Sequence, residues 1–443
     1  MDRIIPEGYK IYGTYVNTSK MIPNFIDGLL PVQKRILLTA HLIAKTQFVK
    51  TAKILGECMS RFHPHSEALG TADWAVQNEF MEGGGQWGSK IGIDSIGPAA
   101  PRYTKLKANK FIEDLAFKYV DYVPWEAEDM DPEPVIIPTM LPFCLIPKYE
   151  LTTIAFGFKP EIPCFKIGDL IKRLNYLLGK GEKITIRPNI MGCTILSKDD
   201  VCEELLTKGN AKFEVQGHYK IDEKHKRVYI LGWTPRRRFQ TVLDKIDNYG
   251  ERRLLTNGDI TWIDESNDSN GTRVMFEVGK LRNTVEIFEQ MVAAIDEALK
   301  TTIGYNVILV DMKGKIIQPS IDVMLLTTYK FYRSVFETYL KKEIEKTSDK
   351  INDMEMIKKM GPHVSSSITK DLVKSIQSLS KASGVDEANV KRLIGLYSIS
   401  KILTPKMDLD PLYDRKKDLE NQYKHIEDSC WKNYDDLQSK LGG

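Results

Sequence analysis

Six prolines, Pro124, Pro132, Pro134, Pro138, Pro142 and Pro147, interrupt the chain in close succession. Each fixes φ and removes a backbone donor, so neither a helix nor a central strand runs through this stretch. The chain is therefore expected to fold as structured parts on either side of an irregular crossing. Its length of 443 residues agrees, being too long for one hydrophobic core.

The apolar pattern differs on the two sides. Upstream, Val32, Ile36, Leu37 and Ile43 recur near helical spacing behind Pro31, predicting a helix over Pro31 to Ala44. A second helix is predicted from Thr51 to Arg61, stopped by Phe62-His63-Pro64, and a third from Ser66 to about Phe80. Two short helices joined by a tight turn match a helix-turn-helix. A three-helix core without DNA contact is the alternative. Downstream, Thr153–Phe158, Lys183–Ile186, Lys212–Val215, Tyr219–Ile221, Val228–Trp233, Asp259–Ile263 and Arg273–Val278 read as strands. Leu170–Leu178 reads as a helix and Asn257-Gly258 as a turn. From Gln318 to Leu441 strands nearly vanish, and Val323, Leu326, Phe331, Val335 and Tyr339 begin a long helix matched by another over Asp410 to Leu441. The fold class is thus α+β and multidomain, with parts at 1–147, 148–315 and 316–443.

Composition excludes several functions. The six cysteines are scattered with no CxxC pair, which argues against a zinc site or disulfide framework and for reduced thiols in a cytoplasmic compartment. The amino terminus lacks an apolar signal segment, and the most apolar stretch, Val135 to Pro147, is too short to span a bilayer. No GxxxxGKT phosphate loop occurs, and Glu128-Asp129-Met130-Asp131 sits in a proline-rich run unsuited to a metal cluster. The net charge of +3 conceals a basic first quarter, since residues 1–110 carry fourteen Lys/Arg against nine Asp/Glu. A local basic surface is expected, with a solvated mixed surface as the alternative.

The chemistry concentrates in Gly97-Pro98-Ala99-Ala100-Pro101-Arg102-Tyr103-Thr104, downstream of Gly83-Gly84-Gly85-Gln86-Trp87-Gly88-Ser89 and His63-Pro64-His65. A loop-borne phenol beside a fixed guanidinium suits a nucleophile that attacks a phosphodiester, because developing charge on the phosphate needs a cation. With nineteen tyrosines in the chain, an Arg-Tyr pair alone says little. Its flanks carry the weight.

Those flanks resemble the DNA-cleavage subunit of type IIA topoisomerases: gyrase A, topoisomerase IV A and the medium subunit of tailed-phage enzymes. Four segments match in order: Ile22 to Leu37, the HPH triplet, Gly85 to Ser89 and Ala99 to Thr104. The resemblance implies a winged-helix cleavage domain, an α/β tower domain resembled best at Ile260 to Val274, and a long-helix coiled-coil arm with a helical C-gate. It implies an ATP-hydrolysing type II topoisomerase subunit in which Tyr103 forms a transient 5′-phosphotyrosyl link, Arg102 steadies the transition state and His65 takes part in proton transfer. DNA-binding positions implied are Lys20, Lys34, Arg35, His63 and Ile162, the last as an apolar wedge between base pairs. Lys20 stands where arginine is usual, and Ile26 and Leu30 where many bacterial relatives are basic. Mg²⁺ and ATP are expected on a TOPRIM/ATPase partner, with double-stranded DNA as substrate and a homodimer closed by the C-gate. The lack of room for a β-pinwheel domain favours a phage-type or topoisomerase II-like enzyme over a gyrase. A non-catalytic architectural protein that bends DNA is the competing reading.

Overall fold

The computed structural model describes residues 4–64, 68–127, 130–279, 284–367, 372–397 and 409–441. The chain divides into two compact units, Met1–Tyr332 with Asp436–Gly443, and Arg333–Asp435. It is a mixed helix and sheet protein.

The first unit opens with α1 (Ile4–Val16), which runs into a wide helical turn over Asn17–Met21. Then follow α2 (Pro31–Ile43), β1 (Val49–Lys50), α3 (Thr51–Arg61), α4 (Ala68–Gln77), β2 (Met81–Gly84) and β3 (Lys105–Ala108). Pro31 occupies the first turn of α2, where its missing N–H costs nothing, and the Gln33 side chain accepts from the Leu30 N–H at 3.0 Å. The three helices α2 to α4 pack on an antiparallel sheet of order β1-β3-β2. Leu106 of β3 and Ile36, Leu38 and Ile54 of the helices are fully buried between them.

The proline-rich crossing is irregular, yet it lies in the core. Ile137, Leu141, Phe143 and Leu145 have no exposed surface. With no ladder available, its backbone is held by single bonds from elsewhere: Phe143 N–H to the Asp27 carbonyl at 2.7 Å, Met140 N–H to Leu115 O at 3.0 Å and Ile137 N–H to Asp27 Oδ2 at 3.1 Å. Residues 1–147 and 148–315 both lie within the first compact unit.

Beyond the crossing are two larger antiparallel sheets and a two-stranded one, Leu309–Val310 with Ile316–Ile317. A five-stranded sheet runs Leu151–Thr152, Glu161–Ile162, Lys300–Asn306, Asn210–Gly217, Cys193–Ile195. A four-stranded sheet runs Tyr219–Asp222, Arg227–Ile230, Val274–Val278, Ile260–Asp264, and the helices Phe239–Asp247 and Thr284–Leu299 cover it around Val228, Phe276, Ile287 and Met291. Two strand expectations fail. Residues 153–158 form a reverse turn, with Gly157 at φ +76 and Ala155 N–H donating to Phe158 O at 2.9 Å. Residues 183–186 join no sheet, and the buried Arg173 donates to the Ile184 carbonyl at 2.6 Å.

The long helix Ile321–Ser367 begins in the first unit, where Thr328 Oγ1 donates to Ile26 O at 2.6 Å. In the second unit Met354, Ile357, Met360, Leu379, Val390 and Leu393 form the core. The predicted helix over Asp410 to Leu441 is two helices, Asp410–Lys424 and Ile426–Ser439, broken at His425 (φ −111, ψ 47). Among the described residues no helix is long and apolar enough to cross a membrane.

Candidate active site

Tyr103 sits in a turn whose backbone is specified by glycine. Its N–H donates to Ala100 O at 2.8 Å, and Thr104 Oγ1 donates to Thr51 Oγ1 at 2.8 Å, pinning the turn to the first residue of α3. Gly85 adopts φ +91, and a Cβ there would lie 2.9 Å from the Tyr103 carbonyl oxygen. Gly88 adopts φ +74, and its Cβ would stand 2.0 Å from Ile96 O. The glycine-rich segment is therefore a steric requirement of the tyrosine loop. Trp87, 8% exposed, fills the space beneath, donating to Gly84 O at 3.2 Å while its own carbonyl accepts from Gln77 Nε2 at 2.7 Å.

On this scaffold the Tyr103 side chain is 69% exposed. The Arg102 guanidinium carbon lies 4.7 Å from the centre of its ring. Among the described residues no hydrogen bond occupies the Tyr103 hydroxyl. A phenol held by its backbone, free at its oxygen and stacked under a cation is open to an incoming anion.

The basic residues expected on DNA are arranged differently. Arg35 is bidentate to Glu133, Nε to Oε2 and Nη2 to Oε1 both at 2.9 Å. Lys34 Nζ lies 3.4 Å from the same carboxylate and donates to Pro134 O at 3.0 Å. His63, 3% exposed, lies with Nδ1 at 3.2 Å from Arg35 Nη1. Guanidinium has no acceptor, so in a hydrogen bond between them Nδ1 accepts. Lys34, Arg35 and His63 thus cluster at Glu133 on the proline-rich crossing, one carboxylate against two cations, rather than standing free as the expected phosphate ligands. They sit at the far end of α3 from the Tyr103 turn, about 16 Å of helix away. Lys20 is half-buried in the turn Asn17–Met21. His65 lies outside the described residues.

Ile162 also requires correction. It pairs with Leu151 inside the five-stranded sheet and has no exposed surface, so it has nothing to insert between bases. The most exposed apolar side chain of that hairpin is Ile154, 79% exposed beside its tip, with Phe156 and Phe158 exposed to a lesser degree. The tip is anchored by Asn17, whose Nδ2 donates to Phe156 O at 2.9 Å and whose Oδ1 accepts from Phe156 N–H at 2.8 Å.

Two groups went unnoticed in the sequence. Glu133 had no signal beyond its acidic neighbourhood. Asp27, 1% exposed, accepts from Leu29 N–H at 3.0 Å and from Ile137 N–H; burial pushes its carboxyl up to about 6, against the opposing pull of these bonds and of Lys34. Among the described residues no group of three His, Cys, Asp or Glu side chains is placed to hold a metal ion.

Comparison with known proteins bears on the family of the chain. The chain is 28% identical over 305 residues to the DNA gyrase A protein of Helicobacter pylori strain J99, covering 63% of this chain and 35% of that protein. It is 25% identical over 382 residues to the DNA gyrase A protein of Clostridium acetobutylicum, covering 80% and 44%. To the DNA topoisomerase 4 A protein of Bacillus subtilis it is 25% identical over 334 residues, covering 70% and 40%. The chain thus spans less than half the length of these relatives. Residues 20–440 match the DNA gyrase/topoisomerase IV A-subunit family, and the chain belongs to that family.

Proposed function

We propose that this chain is the DNA-breaking and rejoining subunit of an ATP-dependent type II DNA topoisomerase. Tyr103 Oη gives up its proton and attacks a DNA phosphorus; the bond to the 3′ oxygen breaks, that oxygen leaves as a hydroxyl, and the 5′ phosphate stays on the tyrosine. Attack by the 3′ hydroxyl reverses the step and reseals the strand. Arg102 offsets the charge gathering on the phosphate. The observation that carries this reading is the exposed Tyr103 under Arg102, on a backbone that only glycine at 85 and 88 permits.

In this reading 1–147 is a winged-helix cleavage domain, built from α2 to α4 and the sheet β1-β3-β2, 148–315 a tower domain, and 316–443 a coiled-coil arm with a dimerising C-gate. Ile154 replaces Ile162 as the wedge, and Lys20 and the basic face of the first quarter meet DNA phosphates. Two copies make paired breaks in opposite strands of duplex DNA, in the cytoplasm. ATP and Mg²⁺ belong to a TOPRIM/ATPase partner subunit. An architectural DNA-bending protein has no use for a bare phenol beside a guanidinium, which favours the enzyme.

The test is covalent capture. Tyr103→Phe, mixed with the partner subunit, Mg²⁺ and plasmid and then treated with detergent, is expected to give no protein-linked breaks while binding DNA within a few fold of wild type. Wild-type levels of linked breaks would eliminate Tyr103 as the nucleophile.

A further inference from the structure

The loop leading to Tyr103 is gripped at its tip by a distant part of the chain. Ser89 and Ile96 exchange backbone hydrogen bonds of 2.9 and 2.8 Å, closing the loop between them. At the tip the Gly92 N–H donates to Thr272 Oγ1 at 3.3 Å and the Ile93 N–H to Asp264 Oδ2 at 3.4 Å. Gly92 has φ +91, and a Cβ there would stand 3.2 Å from both Asp264 Oδ2 and Ser266 Cβ. The Ile93 side chain packs against the apolar cluster of the four-stranded sheet. On the other side, Lys90 Nζ lies 4.1 Å over the Tyr149 ring.

The receiving hairpin is set in advance. Asp264 Oδ1 accepts from Ser266 N–H at 3.0 Å, and Ser266 Oγ accepts from Arg273 N–H at 2.9 Å. From the loop, the path to the tyrosine is short and tied: Ala99 N–H donates to Gln86 O at 3.0 Å, and Tyr103 N–H to Ala100 O at 2.8 Å.

We infer that the hairpin spanning Asp264 to Thr272 is a positioning element for Tyr103, with Asp264 and Thr272 acting through the loop from Ser89 to Ile96. The inference rests on the proposed role of Tyr103. A shift of the four-stranded sheet relative to α2 to α4 moves residues 92 and 93, and the bonded path passes that displacement to the turn at 100–103. Misplacing a nucleophile by an ångström is enough to slow a displacement that demands in-line approach. Both hydrogen bonds are long and near the surface, so the grip is modest, and the expected effect on rate is on the order of three- to tenfold.

The experiment uses the full chain with its partner subunit. Asp264→Ala combined with Thr272→Val removes both acceptors, whereas Thr272→Ser alone keeps them. Three quantities are read: the rate of covalent cleavage at saturating DNA, DNA affinity, and amide exchange at Gly92 and Ile93. The double variant is expected to exchange faster at those two amides and to cleave on the order of three- to tenfold more slowly, with affinity unchanged within about twofold; Thr272→Ser is expected to behave as wild type. Faster exchange without slower cleavage, or unchanged exchange, overturns the inference. Persistent linked breaks in Tyr103→Phe, run alongside, count against Tyr103 itself and leave the exchange result standing.

Discussion

Burial makes the Asp27 carboxyl costly to ionise. It is enclosed by the turn before α2, Cys144 and the proline-rich crossing, and it serves two backbone donors that have no ladder to join. Its folded-state pKa of about 6 lies above the value of 3.8 for the free group. As pH rises the unfolded chain therefore releases this proton first, so stabilisation present below about 3.8 is lost as pH passes through about 6. In Asp27→Asn the dependence disappears, while one backbone donor meets an amide NH₂ and loses its acceptor. The wild-type advantage over Asp27→Asn is accordingly expected to be largest near pH 4 and to shrink by ~3 kcal/mol towards pH 7, measured by urea unfolding of the pair across that range. A constant difference would place the titration elsewhere.

At the level of elements, a loop and a helix start carry separate strains. Gly88→Ala pushes a Cβ to 2.0 Å from Ile96 O in a left-handed backbone, so the loop must open. A loss of at least ~2 kcal/mol is expected, with faster exchange of the Ser89 and Ile96 amides and a matching fall in covalent cleavage. Retention of wild-type cleavage would detach the loop from the tyrosine. Arg173, 2% exposed, joins the helix Ile167–Leu177 to Glu203 at 3.0 Å and to Asp322, at the start of the long helix, at 2.7 Å. Removing it leaves two carboxylates without their cation in a partly buried site. Arg173→Ala is expected to destabilise by ~3–5 kcal/mol, and thermal unfolding of the variant reads this directly.

For the whole molecule, the proposed reaction requires two tyrosines acting on opposite strands and an energy source elsewhere. The purified chain is expected to sediment as a dimer and to leave supercoiled plasmid unchanged with ATP and Mg²⁺ until the partner subunit is added. A monomer that relaxes DNA unaided would overturn the proposal. The long helix Ile321–Ser367 is continuous through Pro362, and the buried side chains Met354, Ile357, Met360 and Val364 give the second unit its own core. That core supplies a folded platform on which a self-complementary contact can be built.

The sequence by itself determined the elements whose cause is local. Helix α3 falls where its spacing and the Phe62-His63-Pro64 stop put it, and α2 starts at the proline suited to its first turn. The tyrosine loop was legible for the same reason, since left-handed backbone at Gly85 and Gly88 is a property of those residues. Only the tertiary structure decided what each cation faces. Glu133 lies 98 residues from Arg35, and no local rule foretells that the crossing returns it to face both Lys34 and Arg35. The same holds for the hairpin, where sheet pairing buried Ile162 and a glycine turn exposed Ile154. Burial and ion pairing are set by which distant segments meet, and that meeting is settled by packing of the whole core.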